Sequence, residues 1–453
     1  MKSLIIILLA CFAWTANGQD GSWDTLQFDL QRMPEDSGEV LTLENAMAIA
    51  LEENYEIIIS QNQAQQAQND IFIGNAGFLP RINLTGSYQR SIQDTYIEFA
   101  GEMSPIDREN AGTTIYDAAA ELSYTLFDGL SRFYRYEQLQ EFGRRADVQT
   151  RLTVENSLFQ VVQTYLNIAR QKENYKINQQ AVEISLQRLK RANNTYQYGG
   201  NTKLDVLNAR VDLNTDSVNL AQAVLDLSNA KRDLNIYLGR SPSEQYTVID
   251  NFEINLGIEL ETILAKAQKN NANLLLAQYS LNSARLDEKI AGAGRYPRLE
   301  LNGSYGYNSQ ENEAGFIANQ EQIGFQGGVS LNYALFDANV RSNQIQNAAI
   351  NTQIEEENLA LTSQQIKRDV LNAFATYQNN LYLLKKENDN LETAELNFER
   401  SQVALRLGQI NSTQFREAQL NLIRARRSIN DRYYNAKISE VRLYQLAGIL
   451  EEE

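Results

Sequence analysis

The sequence predicts an α+β membrane protein. Four strands per chain join a shared twelve-stranded β-barrel, which continues into a long α-helical coiled-coil barrel. Three observations predict this class. The chain repeats itself at constant offsets, each copy contains two strands that alternate apolar and polar residues, and each also contains a long proline-free stretch with coiled-coil spacing.

The duplication comes first, because a missed repeat misassigns a fold. Ala76-Gly77-Phe78-Leu79-Pro80-Arg81 recurs as Ala293-Gly294-Arg295-Tyr296-Pro297-Arg298, and Gly86-Ser87-Tyr88 as Gly303-Ser304-Tyr305, at an offset of 217. Leu43-Glu44 and Asn54 match Leu260-Glu261 and Asn271 at the same offset. Leu122, Tyr124, Leu126, Phe127, Asp128 and Arg132 match Leu331, Tyr333, Leu335, Phe336, Asp337 and Arg341 at an offset of 209. Gly199, Ala209 and Gly239 match Gly408, Ala418 and Gly448 at that second offset. The offset changes once, between Tyr88 and Leu122, which places an exposed loop there in each copy.

Within each copy the periodicity gives a helix, a hairpin, a long helix and a return helix. Residues 43–75 and 260–291 read as helices, ended by glycine and then by Pro80 and Pro297. Beyond each proline the period becomes two: Ile82, Leu84, Gly86 and Tyr88 alternate with polar residues, as do Leu299, Leu301, Gly303, Tyr305 and Tyr307. Returning strands carry Ala120, Leu122, Tyr124 and Leu126, and Phe325, Gly327, Val329, Leu331, Tyr333 and Leu335. One apolar and one polar face suit a barrel with lipid outside and water inside. The competing reading is a soluble sandwich, but two distant hairpins make a poor one. Residues 129–198 and 338–407 then return to helical spacing, with Ile366, Val370, Ala373, Tyr377, Leu381 and Leu384 stepping by threes and fours. Such a rod is about 105 Å long at 1.5 Å per residue. Return helices follow at 203–238 and 413–447, and the non-helical stretch 240–257 sits at a waist between the short helices. The expected organisation is therefore a first repeat over 41–250 with its hairpin at 80–127, and a second over 251–453 with its hairpin at 297–336.

Composition excludes several functions. The chain has no histidine and one cysteine, which removes the commonest general base, the commonest metal ligand and any intrachain disulfide framework. No catalytic residue, metal site or cofactor is expected, and the 41 basic residues against 57 acidic ones argue against nucleic acid as a partner. At the N-terminus, Lys2, the apolar run Leu4 to Trp14 and Ala16-Asn17-Gly18 read as a signal peptide over residues 1–18. The rival is a lipoprotein signal ending at Cys11. Residues 19–40 form an N-terminal extension to which the sequence assigns no role. No later segment is apolar enough for a spanning helix, so entry into a membrane requires a closed barrel.

Four strands per chain fall short of the eight that a bacterial barrel needs. Two chains give eight strands, a barrel filled by its own side chains, whereas three give twelve and leave a lumen. Here a family resemblance becomes specific. The chain resembles the TolC family of outer-membrane efflux and export factors over nearly its whole mature length, from Leu41-Thr42-Leu43-Glu44-Asn45-Ala46 to Leu446-Ala447-Gly448. The motifs are that opening, the Leu79-Pro80-Arg81 turn, the Leu126-Phe127-Asp128-Gly129 turn, and Gly-x-x-Thr-x-x-Asp-Val-Leu-x-Ala from Gly199 to Ala209. The resemblance implies a homotrimer in the outer membrane of a Gram-negative bacterium, with its helical part in the periplasm. It implies a passive duct of a tripartite efflux or type I secretion system, fed by a periplasmic adaptor (membrane fusion) protein and an inner-membrane transporter. The alternative is a periplasmic coiled-coil scaffold without a barrel.

The resemblance also locates candidate sites. The helical tips Gly199-Gly200-Asn201-Thr202 and Gly408-Gln409-Ile410-Asn411-Ser412 are helix stops followed by caps, and by resemblance they dock the adaptor. The entrance falls on Gln414 and Glu417, where family members with a tight gate carry acids, and on Asp205, the first-repeat equivalent of Gln414; a ring of carboxylates favours cations. The bland reading makes the acids ordinary first-turn residues facing the helix dipole. The helix–strand turns hold Pro80, Arg81, Pro297, Arg298, Phe127, Asp128, Phe336 and Asp337, with both aspartates expected as N-caps of the long helices.

Overall fold

The computed structural model describes residues 39–450, apart from Glu102 and Asn201. The expected signal peptide, Cys11, residues 19–38, Asn201 of the first tip and the acidic end lie outside the described residues. The chain runs β1 (Glu39–Leu41), α1 (Leu43–Glu53), α2 (Tyr55–Asp70), β2 (Arg81–Ile97), β3 (Ile106–Phe127), α3 (Ser131–Gln197) and α4 (Lys203–Tyr237). It continues through β4 (Tyr246–Val248), α5 (Leu260–Asn270), α6 (Ala272–Ala293), β5 (Arg298–Asn312), β6 (Asn319–Asn332), α7 (Val340–Arg406) and α8 (Ser412–Ala447).

The long helices α3 and α7 each have 67 residues, about 100 Å of rod. Neither contains proline, so no backbone donor is lost along them. Helix α3 packs against α1, α2, α4, α6 and α8, and α7 against α5, α6 and α8. The main core is at mid-length, where Leu158, Val161, Tyr165 and Leu166 of α3 meet Leu234, Leu238, Val248 and Leu443. Towards the tips the core thins to narrow seams such as Tyr175 with Leu220 and Ala223, and Ala192 with Val206 and Ala209.

The expected first helix of each repeat is two helices. Asn54 and Asn271 break them, each in extended backbone. Asn54 Oδ1 accepts the N–H groups of Glu56 and Ile57, capping α2, while its Nδ2 donates to the Tyr237 carbonyl at the end of α4 at 2.7 Å. Asn271 does the same between the start of α6 and Leu446 O of α8, at 2.9 Å. Gly239 lies so close to this junction that a Cβ would stand 2.2 Å from Glu53 O, and its φ of +69° also favours glycine. Only α2 therefore stacks on α4, and α1 packs sideways on α3.

Two further expectations shift. Asp128 and Asp337 are not N-cap residues. Leu130 and Asn339 hold those positions in left-handed backbone, with no side-chain cap bond. Each aspartate sits two residues earlier and accepts the N–H of Arg132 or Arg341 at 3.1 and 3.2 Å. Strand β6 stops at Asn332, leaving Tyr333 and Leu335 beyond it.

The waist segment is a belt, pinned by β1 pairing in parallel with β4 and by side chains that grip its main chain. Tyr165 OH donates to Leu41 O at 2.6 Å and accepts from Ile249 N at 3.1 Å. Tyr433 donates to Phe252 O, Tyr377 to Asn255 O, and Lys437 to Glu253 O. Burial pushes the Tyr165 and Tyr377 hydroxyls up to about 12, so both remain donors at physiological pH.

The Asn54 junction gives a direct test. Asn54→Ala removes a cap and leaves the half-buried Tyr237 carbonyl without its Asn54 donor, an expected loss of about 1–3 kcal/mol. Asn54→Asp, which keeps the cap and loses the donor, should melt between the two. Thermal unfolding followed by circular dichroism reads the order.

Candidate channel wall and entrance

The wall begins with the four-stranded antiparallel sheet, ordered β2-β3-β5-β6. The two hairpins meet along β3 and β5 in a register that aligns like residues across all four strands. Leu84, Ala120, Tyr305 and Phe325 form one row, and Gly86, Ala118, Tyr307 and Ile323 another. Leu84, Tyr305, Ile323 and Phe325 are all exposed. The opposite face aligns Asn83, Glu121, Ser304 and Gln326, and, two rows further along it, Ser87, Asp117, Asn308 and Gln322. Asp117 accepts from Ser87 Oγ at 3.0 Å and from Asn308 Nδ2. A period of two on every strand, kept in register, yields one apolar and one polar wall. Strands β2 and β6 are the sheet's two edges, each unpaired on one side.

The helical wall also has two unpartnered edges. On α4, Leu204, Val211, Val218 and Leu225 recur every seven residues and are exposed. On α7, Ile354, Leu361, Tyr382, Leu396 and Val403 fall at multiples of seven and are exposed too. Such spacing is a coiled-coil seam, and neither seam meets a partner within the chain.

At the tips both hairpins end as the sequence indicates. Gly199 and Gly408 take φ of 76° and 73°, and Gly200 N and Gln409 N reach back to Thr195 O and Ala404 O at 2.8 and 2.9 Å. Thr202 and Asn411 then cap α4 and α8 in capping boxes. The N3 partners are two of the expected entrance residues: Asp205 Oδ2 accepts from Thr202 N at 3.1 Å, and Gln414 Oε1 from Asn411 N at 3.0 Å. Glu417, one turn further, is exposed.

Just above the tips, a buried polar network joins α3, α4 and α8. Arg416 clasps Asp216 through two hydrogen bonds of 2.7 and 2.9 Å, and Ser185 Oγ donates to the same carboxylate at 2.5 Å. Gln419 donates to Ser185 Oγ at 3.2 Å, and Arg188 pairs with Asp212. Burial alone lowers the Arg416 pKa; the hydrogen bonds to Asp216 and the charges of Asp216 and Asp212 outweigh it and raise the value. None of these residues stands out in the sequence alone. The available signal was the repeat: Asp216 and Ser185 occupy positions where the second repeat has Ala425 and Ala394.

The family model for the outer membrane efflux protein matches residues 47–240 and 263–449. The chain belongs to the outer membrane efflux protein family. Outer membrane protein TolC of Vibrio cholerae serotype O1 is 21% identical over 412 residues, covering 89% of this chain and 90% of that protein. TolC of Escherichia coli K12 is 20% identical over 356 residues, 77% and 72% of the two chains. The Campylobacter jejuni CmeC outer membrane channel superposes with a TM-score of 0.72 at 16% identity, covering 99% of this chain and 94% of that one. The family likeness expected from the Leu-Pro-Arg and Leu-Phe-Asp-Gly turns therefore holds, and the protein is an outer-membrane efflux channel with the TolC-like fold. Among the described residues no helix is long and apolar enough to cross a membrane.

The buried network yields a second test. Arg416→Ala leaves the Asp216 carboxylate buried beside Ser185 and should cost about 3–5 kcal/mol, whereas Arg416→Leu combined with Asp216→Leu should recover most of it. Chemical denaturation of the single and double variants measures the difference.

Proposed function

We propose that three copies of this chain form the outer-membrane duct of a tripartite efflux or type I secretion system. The observation that carries the trimer is the pair of open edges on the sheet. Lipid satisfies no unpaired backbone group, so β2 and β6 need partners within the membrane. With four strands per chain, three chains close a twelve-stranded barrel with a water-filled lumen. The uncovered seams on α4 and α7 favour the same assembly. They are different surfaces on different edges, so they meet head to tail and close a ring.

In this reading the row containing Leu84 and Phe325 faces lipid, and the row containing Asp117 and Asn308 faces water. The helices stand in the periplasm. The tips from Tyr198 to Thr202 and from Leu407 to Ser412 receive a periplasmic adaptor, which couples the duct to an inner-membrane transporter. The duct performs no chemistry, and its substrates move passively through it.

At the entrance the geometry separates the three expected residues. Asp205 and Gln414 are engaged in capping boxes, whereas exposed Glu417 remains available to line the pore. Three copies of Glu417 then form the carboxylate ring.

Two measurements test these readings. The protein should fractionate with the outer membrane and migrate as a trimer in mild detergent; a soluble monomer would end the duct reading. In planar bilayers, Glu417→Ala should lower the cation-over-anion permeability ratio by about twofold. An unchanged ratio removes Glu417 from the entrance.

A further inference from the structure

A cavity of about 630 Å³ lies at the foot of the sheet, where strands become helices. Arg81, Arg298, Glu300 and Asn302 line its strand side, and all four belong to the polar face by the register of the sheet. Arg135 of α3 and Arg341 of α7 line its helical side. The charges here do not cancel. Arg298 pairs with Glu300 at 2.6 Å, Arg341 with Asp337 at 3.4 Å, and Asp128 with Arg132 at 3.6 Å. Arg81 and Arg135 are exposed and, among the described residues, have no carboxylate partner.

The repeat explains the imbalance. Asn83 stands where the second copy has Glu300, so Arg81 lacks the partner that neutralises Arg298. Gln344 stands where the first copy has Arg135, so the excess charge belongs to the first copy alone. A cationic patch is conspicuous in a chain whose formal charge is −16. Most of the polar face around it consists of uncharged Asn, Gln, Ser, Thr and Gly; its further carboxylates, Glu121 and Asp117, lie higher on the strands and accept hydrogen bonds from Thr85 and from Ser87 and Asn308. Guanidinium forks match the oxygens of phosphate, and arginines lining a pore select anions.

We propose that this cavity binds the phosphate group, or a similar dianionic group, of a solute passing from the helical tunnel into the barrel, through Arg81 and Arg135. The inference rests on the duct reading, with the polar face as the lumen. Three copies would set three such patches at one level of the pore. Solutes carrying a phosphate are concentrated at the neck, where the arginines act on ion selectivity in the opposite sense to the Glu417 carboxylates at the entrance.

The test uses the full-length protein in planar bilayers of phosphatidylcholine under a KCl gradient, with inorganic pyrophosphate as the probe. Pyrophosphate should reduce the current through the wild-type channel. In Arg81→Gln/Arg135→Gln the half-blocking concentration should rise about tenfold and the anion-over-cation permeability ratio should fall about twofold, while Arg81→Lys/Arg135→Lys keeps most of both. A conducting Gln variant with unchanged block and unchanged ratio overturns the inference and leaves the duct intact. A wild-type protein that forms no pore overturns the duct reading and the inference with it. Repeating the measurement with phosphatidylglycerol in the bilayer separates solute from headgroup. Unchanged block supports a lumenal site, and block abolished by the anionic lipid assigns the cavity to a headgroup and overturns the proposal.

Discussion

One asparagine side chain in each repeat joins two helices end to end. Asn54 satisfies the first amides of α2 and the last carbonyl of α4 together, and Asn271 does so for α6 and α8. A helix leaves four donors and four acceptors unpaired at its ends, and a buried junction between two ends concentrates them. An amide side chain carries an uncharged donor and an uncharged acceptor in one fixed plane. With these junctions in place, a return helix and a short helix run alongside the 67-residue α3 and α7. Each long helix then has shorter helices alongside it, α4 and α2 on α3, and α8 and α6 on α7. Without them the upper half of each long helix would face its neighbours alone.

The sheet obeys a different constraint. Its strands are longer than the roughly 9–11 residues needed to cross a bilayer, with β2 at 17 and β3 at 22 residues. Register carries the burden, because a slip of one residue would turn Leu84 and Phe325 towards the polar wall. The pairing of β3 with β5 links hairpins that are distant in sequence, and Asp117, bonded to both Ser87 and Asn308, ties β2, β3 and β5 across the polar side.

Much of this was legible in the sequence because the signals were periodic and occurred twice. The strands, the long rods and the tips followed from spacing, and the family likeness from the duplicated turn motifs. What stayed hidden was what spacing does not encode. Asn54 interrupts a helical pattern that asparagine alone seldom breaks, so α1 and α2 read as one element. Asp128 was expected as the N-cap, but two left-handed residues, Gly129 and Leu130, follow it, Leu130 takes the cap position, and Asp128 accepts the Arg132 amide from outside the helix. The Arg416–Asp216 network pairs residues 200 positions apart, and only three-dimensional packing brings them together. The entrance was the least legible site, since capping and pore lining call for the same residue types at the same first turn.

The belt at the waist is held in an unusual way. Tyrosine hydroxyls and lysines grip its carbonyls and amides, from Leu41 and Ile249 to Phe252, Glu253 and Asn255. Its conformation is therefore dictated from outside, by residues on α3, α7 and α8. Ile249, Asn251, Glu253 and Leu256 project from it into solvent and carry little of that structural duty. A segment fixed by its main chain is free to change its lettering. The waist is thus a display surface, where new side chains can be written onto a rigid frame without disturbing the wall behind it.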